Sequence, residues 1–257
     1  MSEMEILFLG TGTSHGVPMI GCTCPVCTSA DPRDKRLRAS VAVTLPDGRV
    51  IVIDVAPEFR LAAIASDLPR VDAVLFTHSH ADHIMGLDDI RRYNNISSGT
   101  IPCYADAPTQ EILRRCFGYA VGPYKNVDRP SISLHDLAAP VDLCGVRVEP
   151  IPLMHGRVPI LGFRIGGFAY CTDCSQIPPE SMETLAGLDL LVIDALRYTP
   201  HPTHMNVQES LAAIEAIGPR RALLTHIAHE IGHAELEAKL PPHIRIAFDG
   251  LRVKATM

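Results

Sequence analysis

Tryptophan is absent from this 257-residue chain, and aromatic residues make up only 5% of it. The core must therefore rest on Val, Leu, Ile and Ala, which a hydrophobic content of 47% supplies amply. No apolar run approaches the roughly 20 residues that a membrane span needs. The acidic start Ser2-Glu3-Met4-Glu5 shows no secretory leader, so a cytoplasmic protein with no membrane partner is expected. Also missing are a Gly/Ser linker, a low-complexity tract and a short repeat, which points to one α/β domain over residues 1–257. There is no basic surplus either. A net charge of −6 argues against a polynucleotide substrate and for a small one. The run Arg33-Asp34-Lys35-Arg36-Leu37-Arg38 reads as a solvated loop. The eight cysteines are clustered or isolated in apolar strands, unlike a secreted disulfide framework, so metal binding or packing is their expected use.

Strand-like runs recur at Ile6–Leu9, Val41–Leu45, Val50–Val55, Ala73–Phe76, Val146–Ile151, Leu161–Ile165, Phe168–Cys171, Leu188–Ile193, Ala222–Thr225 and Ile244–Phe248. Helical patterns fall at Pro57–Ser66, Asp82–Tyr93, Pro108–Phe117, Pro178–Ala186, Val207–Ile217 and His233–Leu240. Pro46-Asp47-Gly48 joins two early runs as a hairpin, and the later alternation suggests sheets covered by helices. The polar stretch from Gly118 to Pro130 reads as a surface loop or lid.

Against this background one motif stands out. His78-Ser79-His80-Ala81-Asp82-His83 directly follows the apolar Ala73-Val74-Leu75-Phe76. A loop entering a first helical turn can aim His78 and His80 at one point, and Asp82 and His83 at a neighbouring one. Imidazole suits zinc, iron and manganese, and a carboxylate adds affinity for harder ions. Three more ligand types stand alone at the ends of apolar runs: His155, Asp173 and His226. A lone histidine there is more often a hydrogen-bonded structural residue. Beside a four-ligand cluster, the three read as the remainder of a two-metal hydrolytic site. Asp54, at the end of Val50-Ile51-Val52-Ile53, serves equally well as a strand-ending turn residue.

The pattern His-x-His-x-Asp-His, followed by a distant His, Asp and His, resembles the metallo-β-lactamase superfamily. That resemblance implies an αββα sandwich of two mixed β-sheets flanked by helices, with the site at one edge of the paired sheets. It also implies that His78, His80 and His155 hold one divalent metal, that Asp82, His83 and His226 hold a second, and that Asp173 bridges them. Asp54 then orients the ligand loop.

Cys22-Thr23-Cys24-Pro25-Val26-Cys27 places three thiols on one loop, residues 22–27. A closed zinc site needs a fourth ligand, for which His229 in Thr225-His226-Ile227-Ala228-His229 is the best candidate. The opening Gly10-Thr11-Gly12-Thr13-Ser14-His15-Gly16-Val17-Pro18, the Cys-x-Cys-x-x-Cys run and the late Thr-His-x-x-His together resemble the PhnP-type phosphodiesterases. By that resemblance Cys22, Cys24, Cys27 and His229 hold one structural Zn²⁺. Cys171 and Cys174 flank Asp173 and read as packing residues.

In His201-Pro202-Thr203-His204, His201 reads as a surface residue, whereas His204 matches the PhnP-type proton donor to the leaving group. Two ions about 3.5–4 Å apart can activate a bridging water for in-line attack on phosphorus. Either Mn²⁺ or Zn²⁺ suits the mixed His/Asp set. Asp82 would help orient the nucleophile as well as bind metal. The activity implied is hydrolysis of small cyclic phosphodiesters, such as 5-phosphoribosyl 1,2-cyclic phosphate from phosphonate breakdown or nucleoside 2′,3′-cyclic phosphates. Tyr93, Asn94, Arg157, Arg197 and Tyr198 are pocket candidates by their nearness to the motifs. Two alternatives share much of the pattern: a tRNA 3′-processing-type nuclease, whose basic arm is not found here, and a PqqB-type oxidative enzyme of cofactor biosynthesis. A homodimer is expected from the resemblance and the prevalence of two-fold assemblies.

Overall fold

Val50-Ile51-Val52-Ile53 shows in four residues why the chain stacks two sheets. Ile51 and Ile53 face the interior between the sheets, while Val50 and Val52 face an outer core under the helices. Leu7 and Leu9 likewise point outward, and Ile6 and Phe8 inward. Strands buried on both faces read as continuous apolar runs rather than as alternation, as here.

The computed structural model describes residues 2–123 and 129–257. The first sheet contains β1 (Glu3–Gly10), β2 (Ser40–Thr44), β3 (Val50–Ile53), β4 (Ala73–Leu75), β5 (Ile101–Ala105) and β6 (Ile132–Asp136). The second contains β7 (Val141–Leu143), β8 (Val146–His155), β9 (Val158–Ile165), β10 (Phe168–Cys171), β11 (Leu190–Asp194), β12 (Arg221–Thr225) and β13 (Ile244–Ile246). The chain then returns as β14 (Arg252–Thr256) to the edge of the first sheet, so the orders are β14-β1-β2-β3-β4-β5-β6 and β13-β12-β11-β10-β9-β8-β7. Each sheet is antiparallel in its first part and parallel in its later part. The expected α/β sandwich of two mixed sheets flanked by helices is borne out.

Helices α1 (Phe59–Ala65), α2 (Ala81–Ile84), α3 (Arg91–Ser97) and α4 (Ala107–Phe117) follow strands of the first sheet, and α5 (Val207–Ile217) and α6 (His233–Glu237) those of the second. Their apolar sides close the two outer cores: Phe59, Ile84 and Leu113 on one, Val207, Ile214 and Leu236 on the other. Asn206 and Glu209 form a reciprocal capping box at the start of α5, and Gly218 ends that helix at φ 66°. Among the described residues no helix is long and apolar enough to cross a membrane.

Two expected helices are corrected. Asp82–Tyr93 is not continuous: α2 stops at Ile84, a 3₁₀ turn spans Leu87–Ile90, and α3 begins at Arg91. The break is at Gly86, whose N–H donates to the Val55 carbonyl at 2.9 Å. A Cβ there would lie 2.0 Å from the Ala56 carbonyl oxygen. Pro178–Ala186 holds only a 3₁₀ turn at Pro179–Ser181. The rest is a series of turns, with tertiary bonds holding it from outside: the Ser181 hydroxyl donates to Pro152 O and the Arg164 guanidinium to Thr184 O and Ala186 O. In the 118–130 stretch, Val121 bridges to Ile132, while residues 124–128 lie outside the described residues.

Candidate metal centre

The parallel strands deliver their C-terminal ends to one edge of the sandwich, and the predicted ligands follow those ends. Asp54 follows β3, His78 follows β4, Asp173 follows β10 and His226 follows β12. Asp54, Asp173 and His226 all take left-handed backbone, with φ of 61°, 58° and 60°. Such conformations cost about 1–3 kcal/mol each and cluster at functional sites. Here they turn three side chains abruptly off the strands toward one place.

The structure brings all seven predicted ligands together around Asp173. Its Oδ2 lies 3.2 Å from His83 Nε2 and 3.9 Å from His78 Nε2, and its Oδ1 lies 3.0 Å from His226 Nε2. Asp82 Oδ2 is 3.3 Å from His83 Nε2. The rings of His78, His80 and His155 face one another, with centroids 4.5, 5.1 and 5.7 Å apart.

What the histidines do with their other nitrogen is informative. His83 Nδ1 donates to Asp54 Oδ2 at 2.7 Å, and His155 Nδ1 donates to the Asp173 carbonyl at 2.7 Å. His78 Nδ1 meets the Thr77 hydroxyl at 3.0 Å, and that hydroxyl in turn donates to Asp54. Anchoring Nδ1 in this way fixes the tautomer and leaves Nε2 as a lone pair aimed into the cluster. The Nε2 atoms of His78, His83 and His226 are buried without any hydrogen-bond partner. Buried polar atoms are rarely left so. Divalent cations would complete them.

Charge leads to the same place. Asp54, Asp173 and Asp194 are buried, with Asp82 beside them. Burial pushes the Asp54 and Asp194 carboxyls up. Burial also opposes ionisation of Asp173 and Asp82, but His226 and His83 outweigh it at Asp173 and His83 does so at Asp82, holding both well down. A concentration of carboxylates this dense in a low-dielectric interior calls for cations.

His204 sits against the cluster, 4.7 Å from the His155 ring and 4.8 Å from that of His226, nearly parallel to the latter. Its Nδ1 donates to Asp194 Oδ2 at 2.9 Å. Asp194 is absent from the residues expected from sequence. Its signal, a carboxylate ending the apolar Leu188–Ile193 run, was the same as that of Asp54 and Asp173. Thr77 is another unpredicted participant, through its N–H and hydroxyl bonds to Asp54 at 2.9 and 2.8 Å.

The second cluster brings Cys22, Cys24, Cys27 and His229 together, with ligand atoms all within 4.8 Å of one another. Cys22 and Cys24 each place Sγ 3.4 Å from His229 Nδ1. A tetrahedral Zn–S bond near 2.3 Å sets ligand atoms about 3.8 Å apart, so the donor set fits zinc. The Cys27 N–H and then His229 pull the Cys24 thiol down to about 6. Burial, followed by the neighbouring sulfurs, pushes Cys27 up to about 11.

The two clusters share the segment after β12. Ile227 N–H donates to Thr11 O at 2.9 Å, and Thr13 N–H donates to Ile227 O at 3.3 Å. The Gly-Thr-Gly opening is needed for this clasp: a Cβ on Gly10 would lie 2.0 Å from Arg38 O, and one on Gly12 2.9 Å from Arg36 O. The 33–38 run is not simply a solvated loop. Arg36 is 1% exposed, and its guanidinium donates to Asp34, Ala228 O and Ile231 O.

Two pocket candidates are corrected. Tyr93 and Asn94 lie under the helix layer, with the Tyr93 hydroxyl on Leu68 O and Asn94 holding Gly99 and Ser131. The Arg197 guanidinium is occupied by Thr199 O and Pro200 O. Arg157 and Tyr198 are exposed, and the Tyr198 ring lies under Lys239 Nζ. Cys171 and Cys174 are fully buried, and burial pushes the Cys171 thiol up to about 12. His201 is half-buried beside His204 rather than out on the surface.

The sequence profile of the Beta-lactamase superfamily domain matches residues 49–227. A crystal structure described as a new diphosphatase from the PhnP family superposes with a TM-score of 0.91, at 41% identity over 97% of both chains. This chain belongs to the beta-lactamase superfamily and, within it, to the PhnP family. An octanoyltransferase of Porphyromonas gingivalis is 38% identical over 252 residues, 96% of this chain but 51% of that protein. The chain thus spans about half the length of that relative. Coenzyme PQQ synthesis protein B of Methylobacterium nodulans is 28% identical over 225 residues, covering 74% of this chain and 72% of that one. Zn²⁺-bound PqqB from Methylobacterium extorquens, with a TM-score of 0.77 at 20% identity over 97% of this chain and 99% of that one, shares the fold. Superfamily, donor set and PhnP neighbour together support a metal-dependent hydrolase.

Proposed function

We propose that this PhnP-family protein is a dinuclear phosphodiesterase acting on small diesters, cyclic ribose phosphates such as 5-phosphoribosyl 1,2-cyclic phosphate among them. The observation that carries this reading is the Asp194–His204 pair set beside a seven-ligand cluster. A hydrolase that only polarises a carbonyl has less need of a dedicated acid, whereas an alkoxide leaving from phosphorus must be protonated.

In this reading His78, His80 and His155 would hold one ion, Asp82, His83 and His226 the other, and Asp173 would serve both. Mn²⁺ or Zn²⁺ bound there would supply an activated water and offset phosphoryl charge. The chain's own residues do the rest. Asp54 and Thr77 lock the rings of His83 and His78. Asp194 holds the His204 proton on Nδ1, so that Nε2 is the atom that carries and delivers the second proton to the leaving oxygen. Asp82, half-buried at the edge of the cluster, orients the nucleophile. Cys22, Cys24, Cys27 and His229 would hold the structural Zn²⁺, and His229 lies three residues from His226 on the same segment.

The test is a comparison of leaving groups. His204→Ala should slow diesters with alkoxide leaving groups at least tenfold more than activated aryl diesters, on the usual scale of general acid catalysis of about 10²–10⁴-fold. Equal losses on both would remove the acid role. The neighbour described as a diphosphatase also keeps linear P–O–P diesters among the substrates to be screened.

A further inference from the structure

His201 is the one imidazole near the cluster that the preceding account leaves without a task. It lies on the loop between β11 and α5, and that loop is pinned. Arg197 donates to Thr199 O and Pro200 O at 3.2 and 2.9 Å. Gly156, at φ 62°, leaves only enough room for Thr203, since a Cβ there would come within 2.9 Å of Thr203 Cγ2. The loop is therefore held against the turn that follows His155.

Within this loop the His201 ring is oriented by its own backbone. The Thr203 N–H donates to His201 Nδ1 at 3.3 Å, and the Thr203 hydroxyl lies 3.2 Å from the same atom. A nitrogen that accepts a backbone N–H carries no proton. The neutral ring therefore holds its hydrogen on Nε2, the opposite tautomer to the one Asp194 imposes on His204. The two rings lie 5.0 Å apart at 48°. His226, His204 and His201 thus form a row leading outward from the cluster, in which Nε2 of His204 gains and loses a proton while Nε2 of His201 remains a fixed donor.

We infer that His201 is a specificity-determining residue that donates from Nε2 to an anionic oxygen on the leaving group, and that it favours linear diphosphate diesters over simple diesters. The inference rests on the phosphodiesterase reading of the site. With the leaving oxygen at His204, the His201 ring 5.0 Å away is within reach of a group carried just beyond that oxygen. A fixed N–H there is wasted on an aryl or alkyl group but matches the non-bridging oxygens of a second phosphoryl group. Hydrolysis of such a substrate bonds the water oxygen to one phosphorus and breaks that phosphorus–bridging oxygen bond. The displaced phosphomonoester keeps the bridging oxygen. One water proton is taken up in place of the broken bond, by way of His204, and the other stays on the new phosphate or passes to solvent.

The experiment compares ADP-ribose with bis(p-nitrophenyl) phosphate on metal-loaded wild type, His201→Ala and His201→Gln. A hydrogen bond to a charged acceptor predicts a loss of about 10- to 100-fold in kcat/KM for His201→Ala on ADP-ribose, mostly in KM. The loss on the aryl diester should be at least about tenfold smaller. His201→Gln, which returns a donor near the Nε2 position, should recover part of the difference. Long-range ¹H–¹⁵N spectra should show Nδ1 of His201 unprotonated and Nε2 protonated. Equal losses on the two probes would mean that His201 acts only through His204, and would overturn the inference. A ring protonated on Nδ1 would do the same. Wild type that cleaves the aryl diester but not ADP-ribose would overturn the inference alone, and inactivity on both would overturn the phosphodiesterase reading with it.

Discussion

The His/Asp cluster and the Cys/His cluster share the segment that carries His226 and His229, yet they are built on opposite principles. Around Asp173 most of the ligands are buried, with Asp82 half-buried and His80 exposed at the mouth, and each of His78, His83 and His155 has its Nδ1 tied to a group other than a ligand side chain. Around His229 the thiols come from a loop without strand or helix, three of the four residues are half-buried, and the contacts are chiefly among the ligands themselves. On the proposed reading the first shape is set by the fold and would be completed by its ions. The second would depend on its ion, because beyond the ligands' own contacts only one N–H···S bond, from Met19 to Cys27, reaches the three sulfurs. Stripping metal should therefore silence the first site and loosen the second.

Removing Asp173 tests the first half of this contrast most severely. Asp173→Ala should lower kcat/KM roughly a thousandfold or more, as for loss of a central electrostatic group. The melting temperature should move by less than about 3 °C, since a buried carboxylate is removed together with its burial cost. A collapse of stability instead would show that this cluster, too, is held together by its ions. Next in size is Asp194→Asn, which frees His204 to take the wrong tautomer and should cost about 10- to 100-fold in kcat, with metal content unchanged. Metal lost alongside activity would mean that Asp194 supports His226 first.

Cys24→Ser addresses the other half. It should remove one zinc per chain and lower the melting temperature by about 5 °C or more, while the turnover of fully metal-loaded protein falls much less. Unchanged stability would sink the structural-zinc assignment. Gly156→Ala is the mildest. Its added Cβ pushes Thr203, and the strained φ costs about 1 kcal/mol. Activity should fall severalfold through displacement of the 201–204 loop, and the zinc content of the Cys cluster should not change.

Legibility in the sequence followed locality. His78 to His83 is contiguous, and the three cysteines fall within six residues, so both clusters showed before any contact was known. His155, Asp173 and His226 showed because each interrupts an apolar run at its end. Asp194 does the same, but its partner His204 is ten residues away across a loop, and nothing local marks the pair. Tyr93 and Asn94 were misplaced for a related reason: closeness to a motif along the chain does not give direction, and α3 turns them into the layer beneath. The helix over 82–93 failed because Gly86 bonds to Val55, a tertiary partner that periodicity does not reveal. Strand β14 escaped notice because Arg252-Val253-Lys254-Ala255-Thr256 is an edge whose charges pair with Glu5 and Glu3 rather than forming an apolar run.

The most direct test of the account is hydrolysis of bis(p-nitrophenyl) phosphate against p-nitrophenyl phosphate, on protein stripped and reloaded separately with Mn²⁺ and Zn²⁺. A fold-built phosphodiesterase site predicts metal-dependent cleavage of the diester, little cleavage of the monoester, and recovery on reloading without refolding. No cleavage of the diester by protein shown to carry its full metal complement would contradict it.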